Sequence, residues 1–235
     1  MEQTLLGLLG FILIGPFAVI VYYFGKNLHK HENANYFGFG LLAAAATGVG
    51  IGALATGTDL STAHPVGYAF LYQGHISFAL YVLVMFAGAF KHKSKAKTTL
   101  MRVRREMAII GFLLLIPHIV LLIWTALSNW NPTGTIAAII MVPLFITSFT
   151  AIRKKMHPLQ WKKLHKLAYV VYAVIYLHLA SITIIFNIIN NTGTDLVFGF
   201  IRFGLYTLIF AFYTYLKFKN YILPARASSK TGKPA

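Results

Sequence analysis

Seven runs of apolar residues, each near 20 long, alternate with short polar segments: about 4–24, 37–56, 68–90, 106–127, 134–152, 165–187 and 196–217. As α-helices rising 1.5 Å per residue, such runs are about 30 Å long, the thickness of a bilayer's hydrocarbon core. They are continuous rather than alternating. Helices, not barrel strands, are therefore the spanning elements that satisfy every backbone group internally. The pattern predicts an all-α, polytopic membrane bundle of about seven transmembrane helices joined by short loops. The first run has no basic leader and no small-residue cleavage site, so it is read as a retained helix. The second, rich in Gly and Ala, suits close helix packing.

Composition agrees: 57% of residues are hydrophobic and 11% charged, with a mean hydropathy of +0.68, far from a soluble domain's usage. The net charge of +16 would suggest nucleic acid in a soluble protein, but its placement points to topology. Twenty of the 21 Lys and Arg residues fall on alternate segments, near 26–30, 91–105, 153–166 and 217–233. The positive-inside rule then places the N-terminus outside and the C-terminus in the cytoplasm, for a multi-pass protein of the cell (plasma) membrane with lipid, not nucleic acid, around it. The remaining one, Arg202, lies inside the last run. With no cysteine, thiolate iron–sulfur ligation, covalent haem attachment and disulfides are excluded.

The histidines carry the candidate chemistry. His29, His31, His64, His92 and His157 sit in polar segments and read as surface residues. His118 and His178 each lie about nine residues from the outer end of their helices, and His75 about seven. Three histidines from three helices thus meet at one depth, roughly 11–14 Å below the outer surface. An imidazole in hydrocarbon needs a partner. Three open alternatives follow: separate core histidines bonded to carbonyls or tyrosines, a three-histidine zinc or copper site, or a b-type haem with two of the three as axial ligands. For haem the expected pair is His118 and His178, with His75 as neighbour or alternative ligand.

RVRREMAIIGFLLLIPH and WKKLHKLAYVVYAVIYLH resemble the ferric-reductase-like transmembrane domain superfamily, and within it the MsrQ family most closely; NADPH oxidases and eukaryotic ferric reductases are more distant. The resemblance covers helices three to seven. It implies a haem-binding, cytochrome b-like transmembrane domain, here 37–220, preceded by an extra helix and cytoplasmic loop over 1–36 and followed by a disordered basic tail over 221–235. It implies His118 and His178 as outer-haem ligands and His165 as an inner-haem ligand. Arg104, fourteen residues and so nearly four turns before His118, stands where an oxidase has its fourth histidine. His165 is accordingly expected to hold a second haem with an unusual partner, to bind FMN or a quinone, or to cap its helix. Thirteen residues separate His165 from His178, about 140° in azimuth, so a π-bulge is expected if both face one partner helix.

Arg202 is read either as snorkelling to the interface or as pairing with a haem propionate. Tyr169, Tyr172 and Tyr176 mark a helix face packed beside the cofactor, and Trp161 an interfacial aromatic. The expected function is transfer of electrons from a cytoplasmic flavin reductase or membrane quinol, through one or two b haems, to an external redox protein, flavin or ferric iron, as the electron-transfer subunit of an oxidoreductase. Alternatives are a quinol-reactive haem anchor of a respiratory complex and a non-enzymatic metal- or haem-handling membrane protein.

Overall fold

The computed structural model describes residues 6–129, 132–189 and 192–224, in which every regular element is helical. The main elements are α1 (Leu9–Lys30), α2 (Glu32–Thr56), α3 (Pro65–Ala87), α4 (Lys95–Arg102), α5 (Arg104–Asn129), α6 (Pro132–Ile146), α7 (Pro158–Ile185) and α8 (Gly193–Ile222). Among the described residues, five of them, α1, α2, α3, α7 and α8, are long and apolar enough to cross a membrane. Exposed apolar side chains such as Phe37, Tyr23 and Leu208 on α1, α2 and α8 suit contact with hydrocarbon.

Two expected boundaries shift. A cytoplasmic loop was expected up to residue 36, but α1 runs through Lys30 and α2 begins at Glu32, leaving His31 as the one residue at the bend, with φ −108° and ψ 35°. The Leu28 carbonyl beside this bend accepts from Asn35 Nδ2 at 3.1 Å. An ion network ties the bend to α5. Arg105 donates to Glu32 and, at 2.8 Å, to the fully buried Glu106, which also accepts from His29 Nδ1 at 2.7 Å. His29 is thus not the free surface residue expected. The fifth run, expected over 134–152, forms a helix of 15 residues ending at Ile146. Pro143 lacks an N–H inside it, and the hydroxyls of Thr147 and Ser148 turn back onto the Pro143 and Leu144 carbonyls at 2.6 and 2.7 Å. The tail from residue 225 lies outside the described residues.

The centre of the bundle is α3, in which 56% of the apolar window is buried against 17–22% in the other four long helices. One face of it packs Leu83 and Ala87 on Val103, at the α4–α5 junction, and Met107 of α5, while Met85 meets Tyr172 of α7 and Tyr213 of α8. Phe112, Met141 and Val171 join α5, α6 and α7. Beyond the end of α3 the carbonyls of Gly88, Ala89 and Phe90 accept from Lys217 Nζ, Asn220 Nδ2 and Tyr221 Oη at 3.1, 3.0 and 2.8 Å. The last helix therefore caps the central one, satisfying acceptors that a helix end leaves open.

Successive helices run in opposite senses. Gly10 meets His75, Gly50 meets Leu121, and Gly134 meets His178 at one end of the bundle. At the other, Gly25 meets Val103, Tyr36 meets Phe149, and Thr147 meets His165. This second end also carries the basic segments around α4 and at the starts of α5 and α7.

Candidate functional site

Where α3 begins, a π-helical turn over Tyr68–Tyr72 gives way at Gly74, whose φ of +73° is the left-handed conformation that glycine adopts without a Cβ penalty. The helix restarts at His75. Tyr72, at the break, is held by its hydroxyl on the Ala46 carbonyl of α2 at 2.6 Å, and its own carbonyl accepts from His118 Nδ1 at 2.7 Å. This contact sets the tautomer of His118: with Nδ1 protonated, Nε2 carries the lone pair that a metal takes. His118 follows the fully buried Pro117 in α5 and is itself partly buried, at the same level as the break in α3.

His178 reaches the same place from α7. Its Nδ1 lies 3.4 Å from Thr133 Oγ1, and its ring rests on the first turn of α6 at Gly134, where an added Cβ would stand 2.7 Å from Cε1. The His118 and His178 rings lie edge to face with centres 6.4 Å apart and planes at 79°. A metal–imidazole bond of ~2.0–2.1 Å, plus ~1.2 Å from nitrogen to ring centre, puts two trans imidazoles at about that separation. His118 and His178, two imidazoles without a carboxylate and flanked by glycines at 74 and 134, would suit a haem iron as its protein ligands.

His75 is buried at the same level, but its Nε2 is 3.0 Å from Gln73 Oε1 and its ring lies under Gly10 of α1. The nitrogens of His75, His118 and His178 do not gather as a trio within 4.8 Å; among the described residues His29, Glu32 and Glu106 do so, at the opposite end. The three-histidine zinc or copper arrangement is therefore not formed. Arg202 lies against the Gly7 backbone at the start of α1, with Tyr206 and Asp195 in electrostatic range, and is itself in range of His75.

At the basic end, His165 Nε2 is 3.1 Å from Thr147 Oγ1. The Thr147 hydroxyl has one proton and donates it to the Pro143 carbonyl, so His165 Nε2 is the donor in this pair and Nδ1 holds the lone pair. Trp161 stacks on His165 at 4.2 Å between ring centres, donates Nε1–H to the Thr147 carbonyl at 3.1 Å, and is covered by Arg153 at 4.5 Å. It is a packing partner of His165 rather than a mere interfacial residue. Arg104 bonds Tyr172 of α7 and lies in electrostatic range of His165.

His165 and His178 both turn toward the α6 strip, at Thr147 and Gly134. The expected π-bulge does not separate them; α7 is re-phased by i→i−3 bonds on either side of Lys166, at 3.2 and 3.1 Å, and its π segment lies beyond His178 at Thr183–Ile189. Of the tyrosine face, Tyr172 is buried against Met85 and Tyr213, Tyr176 bonds Thr207 at 3.1 Å, and Tyr169 is half exposed. Sequence reasoning missed Tyr72, Gly74, Thr133, Gly134 and Thr147. A glycine ahead of a membrane histidine and the PTG at a helix start were the available signals.

Comparison with known proteins adds an independent line. The chain is 27% identical over 164 residues to an uncharacterized protein of Treponema pallidum (strain Nichols), covering 64% of this chain and 44% of the relative, so it spans less than half of that protein's length. No solved structure matches it. Residues 73–176, which carry His75, Arg104, His118 and His165 and stop two residues before His178, match the family described as ferric reductase like transmembrane component.

Proposed function

We propose that this chain is a b-type haem protein of the plasma membrane, of the MsrQ branch of the ferric-reductase-like superfamily, that transfers electrons from a cytoplasmic flavin reductase or a membrane quinol to an external redox protein, flavin or ferric iron. The observation that carries the proposal is the opposed pair His118 and His178, 6.4 Å between ring centres, with His118 Nε2 left as acceptor by the Tyr72 carbonyl. Haem b held there would supply one-electron transfer at a six-coordinate iron, which favours outer-sphere exchange over oxygen binding at the metal.

The roles of the chain's own residues follow from their contacts. Tyr72 orients His118, and Thr133 and Gly134 locate His178. Gly74 keeps the space beside His118 free of a Cβ. Arg202, at the same end, is the cation suited to a propionate. At the basic end Arg104, His165 and Trp161 are suited to an inner carrier, a second haem, FMN or a quinone.

Seven spans with the N-terminus outside and the C-terminus in the cytoplasm belong to the same proposal. Helices of alternating sense with the basic segments at one end support it. At 1.5 Å per residue α5 is about 39 Å long, ample for a crossing, whereas α6 is about 22 Å and crosses together with the turn that follows it.

The test is an absorption spectrum of the purified full chain before and after dithionite, with the haem-to-protein ratio. A sharpened low-spin b-type band at a ratio of one or two is expected. A colourless preparation from haem-replete cells overturns the proposal.

A further inference from the structure

On the far side of α3 from the histidines' partner helices, a groove with a volume of about 510 Å³ runs between α1, α3 and α8 and ends on α4. Ala18 and Tyr22 of α1, Val82 and Phe86 of α3 and Phe212 of α8 form its walls, and Lys95, at the start of α4, is the one charged residue lining it. Two neighbouring lysines are engaged. Lys97 donates to the Tyr221 hydroxyl, and Lys217 caps the Gly88 carbonyl while lying over the Tyr169 and Tyr221 rings. Lys95 is exposed, at the mouth of an otherwise apolar slot.

We propose that this groove binds an anionic phospholipid, one acyl chain between α1, α3 and α8 and the headgroup phosphate on Lys95. In a chain that spans a bilayer, an apolar slot at membrane depth is filled by hydrocarbon. The occupant's polar end is set by charge. Lys95 is the first residue of a helix whose N-terminal dipole also favours an anion, and it belongs to the basic end, the side that faces the anionic leaflet. The α4 helix is a separate short piece whose Leu100 is buried and whose Met101 and Arg102 are exposed, as expected of a segment lying in the interface. The bound chain completes the wall between α1 and α8. The site needs the membrane reading but is independent of haem.

The test is native mass spectrometry of the purified full chain with its cofactor, titrated with phosphatidylglycerol and with phosphatidylcholine of identical acyl chains. The first phosphatidylglycerol should bind about fivefold more tightly, the effect of one interfacial lysine. Lys95→Ala should bring the two lipids within twofold, and Ala18→Phe, which fills the slot without touching charge, should weaken both. Ala96→Leu narrows the slot from α4 and serves if Ala18→Phe does not fold, judged by thermal unfolding. Equal binding of the two lipids by the parent chain, an unchanged preference in Lys95→Ala, lipid binding unaffected by filling, or an isoprenoid quinone in the slot in place of phospholipid each overturns the proposal.

Discussion

Two side chains, His118 and His178, stand with their ring centres 6.4 Å apart, and the surroundings of each decide how the proposed haem site can fail. Removing either imidazole by His118→Ala or His178→Ala should abolish low-spin haem binding, because one axial ligand is lost; a normal reduced spectrum in either variant rules out this pair. His75, bonded to Gln73 rather than facing the pair, should tolerate alanine with the haem retained and its potential shifted. Gly134→Ala is the sharper probe, since the added methyl would overlap the His178 ring at 2.7 Å while leaving both ligands in the sequence. Haem content of that variant should fall severalfold with little change in helix content by circular dichroism. Parental haem content would mean that His178 does not lie on α6 as described. The common depth of these histidines was legible from residue counting, because helical rise converts position into height. The Tyr72 carbonyl was not, since it becomes an acceptor for His118 through the break at Gly74, 44 residues away from it in sequence.

At the level of elements, long apolar runs were legible because a bilayer forces them to be helices, whereas the places where helices bend were not. The 25–36 stretch, with its Lys, Asn, His and Glu, has the composition of a loop, yet α1 and α2 nearly meet at His31 because the polar side chains are taken up by α5. Of the chain's five carboxylates, Glu32 and Glu106 converge on Arg105 and His29 there. Arg105→Ala leaves Glu106, 1% exposed, with His29 as its remaining partner, and should destabilise the protein by about 1.5–3 kcal/mol, the worth of a hydrogen bond to a buried charged group. Thermal unfolding in detergent measures it, and a midpoint within a degree of the parent's would show that the network is not holding the bend. Gly134 was overlooked for a related reason: in a PTG sequence glycine reads as turn punctuation, and its task of admitting the His178 ring depends on the angle at which α6 meets α7.

Across the whole molecule the two candidate sites lie at opposite ends of one helix, and their separation sets the last prediction. His165 and His178 are thirteen residues apart on α7, about 20 Å along its axis, and the basic end that would receive a cytoplasmic donor is the His165 end. That distance is long for one electron-transfer step, so a donor on the basic side requires a carrier between it and the His118–His178 level. The residues at hand for one are His165, whose Nδ1 holds the lone pair because Nε2 donates to Thr147, the Trp161 ring packed against it, and Arg104, which reaches Tyr172 on the same face of α7. His165→Ala should therefore slow reduction by a flavin reductase at least tenfold in inside-out vesicles while leaving the dithionite-reduced outer spectrum intact. Arg104→Ala should slow the same step less, by loosening a propionate or phosphate. A quinol dissolved in the bilayer needs no such relay, because it can approach the outer pair from the side. If both variants are reduced by the flavin reductase at the parental rate, the inner carrier does not exist and electrons enter at the level of His118 and His178 directly.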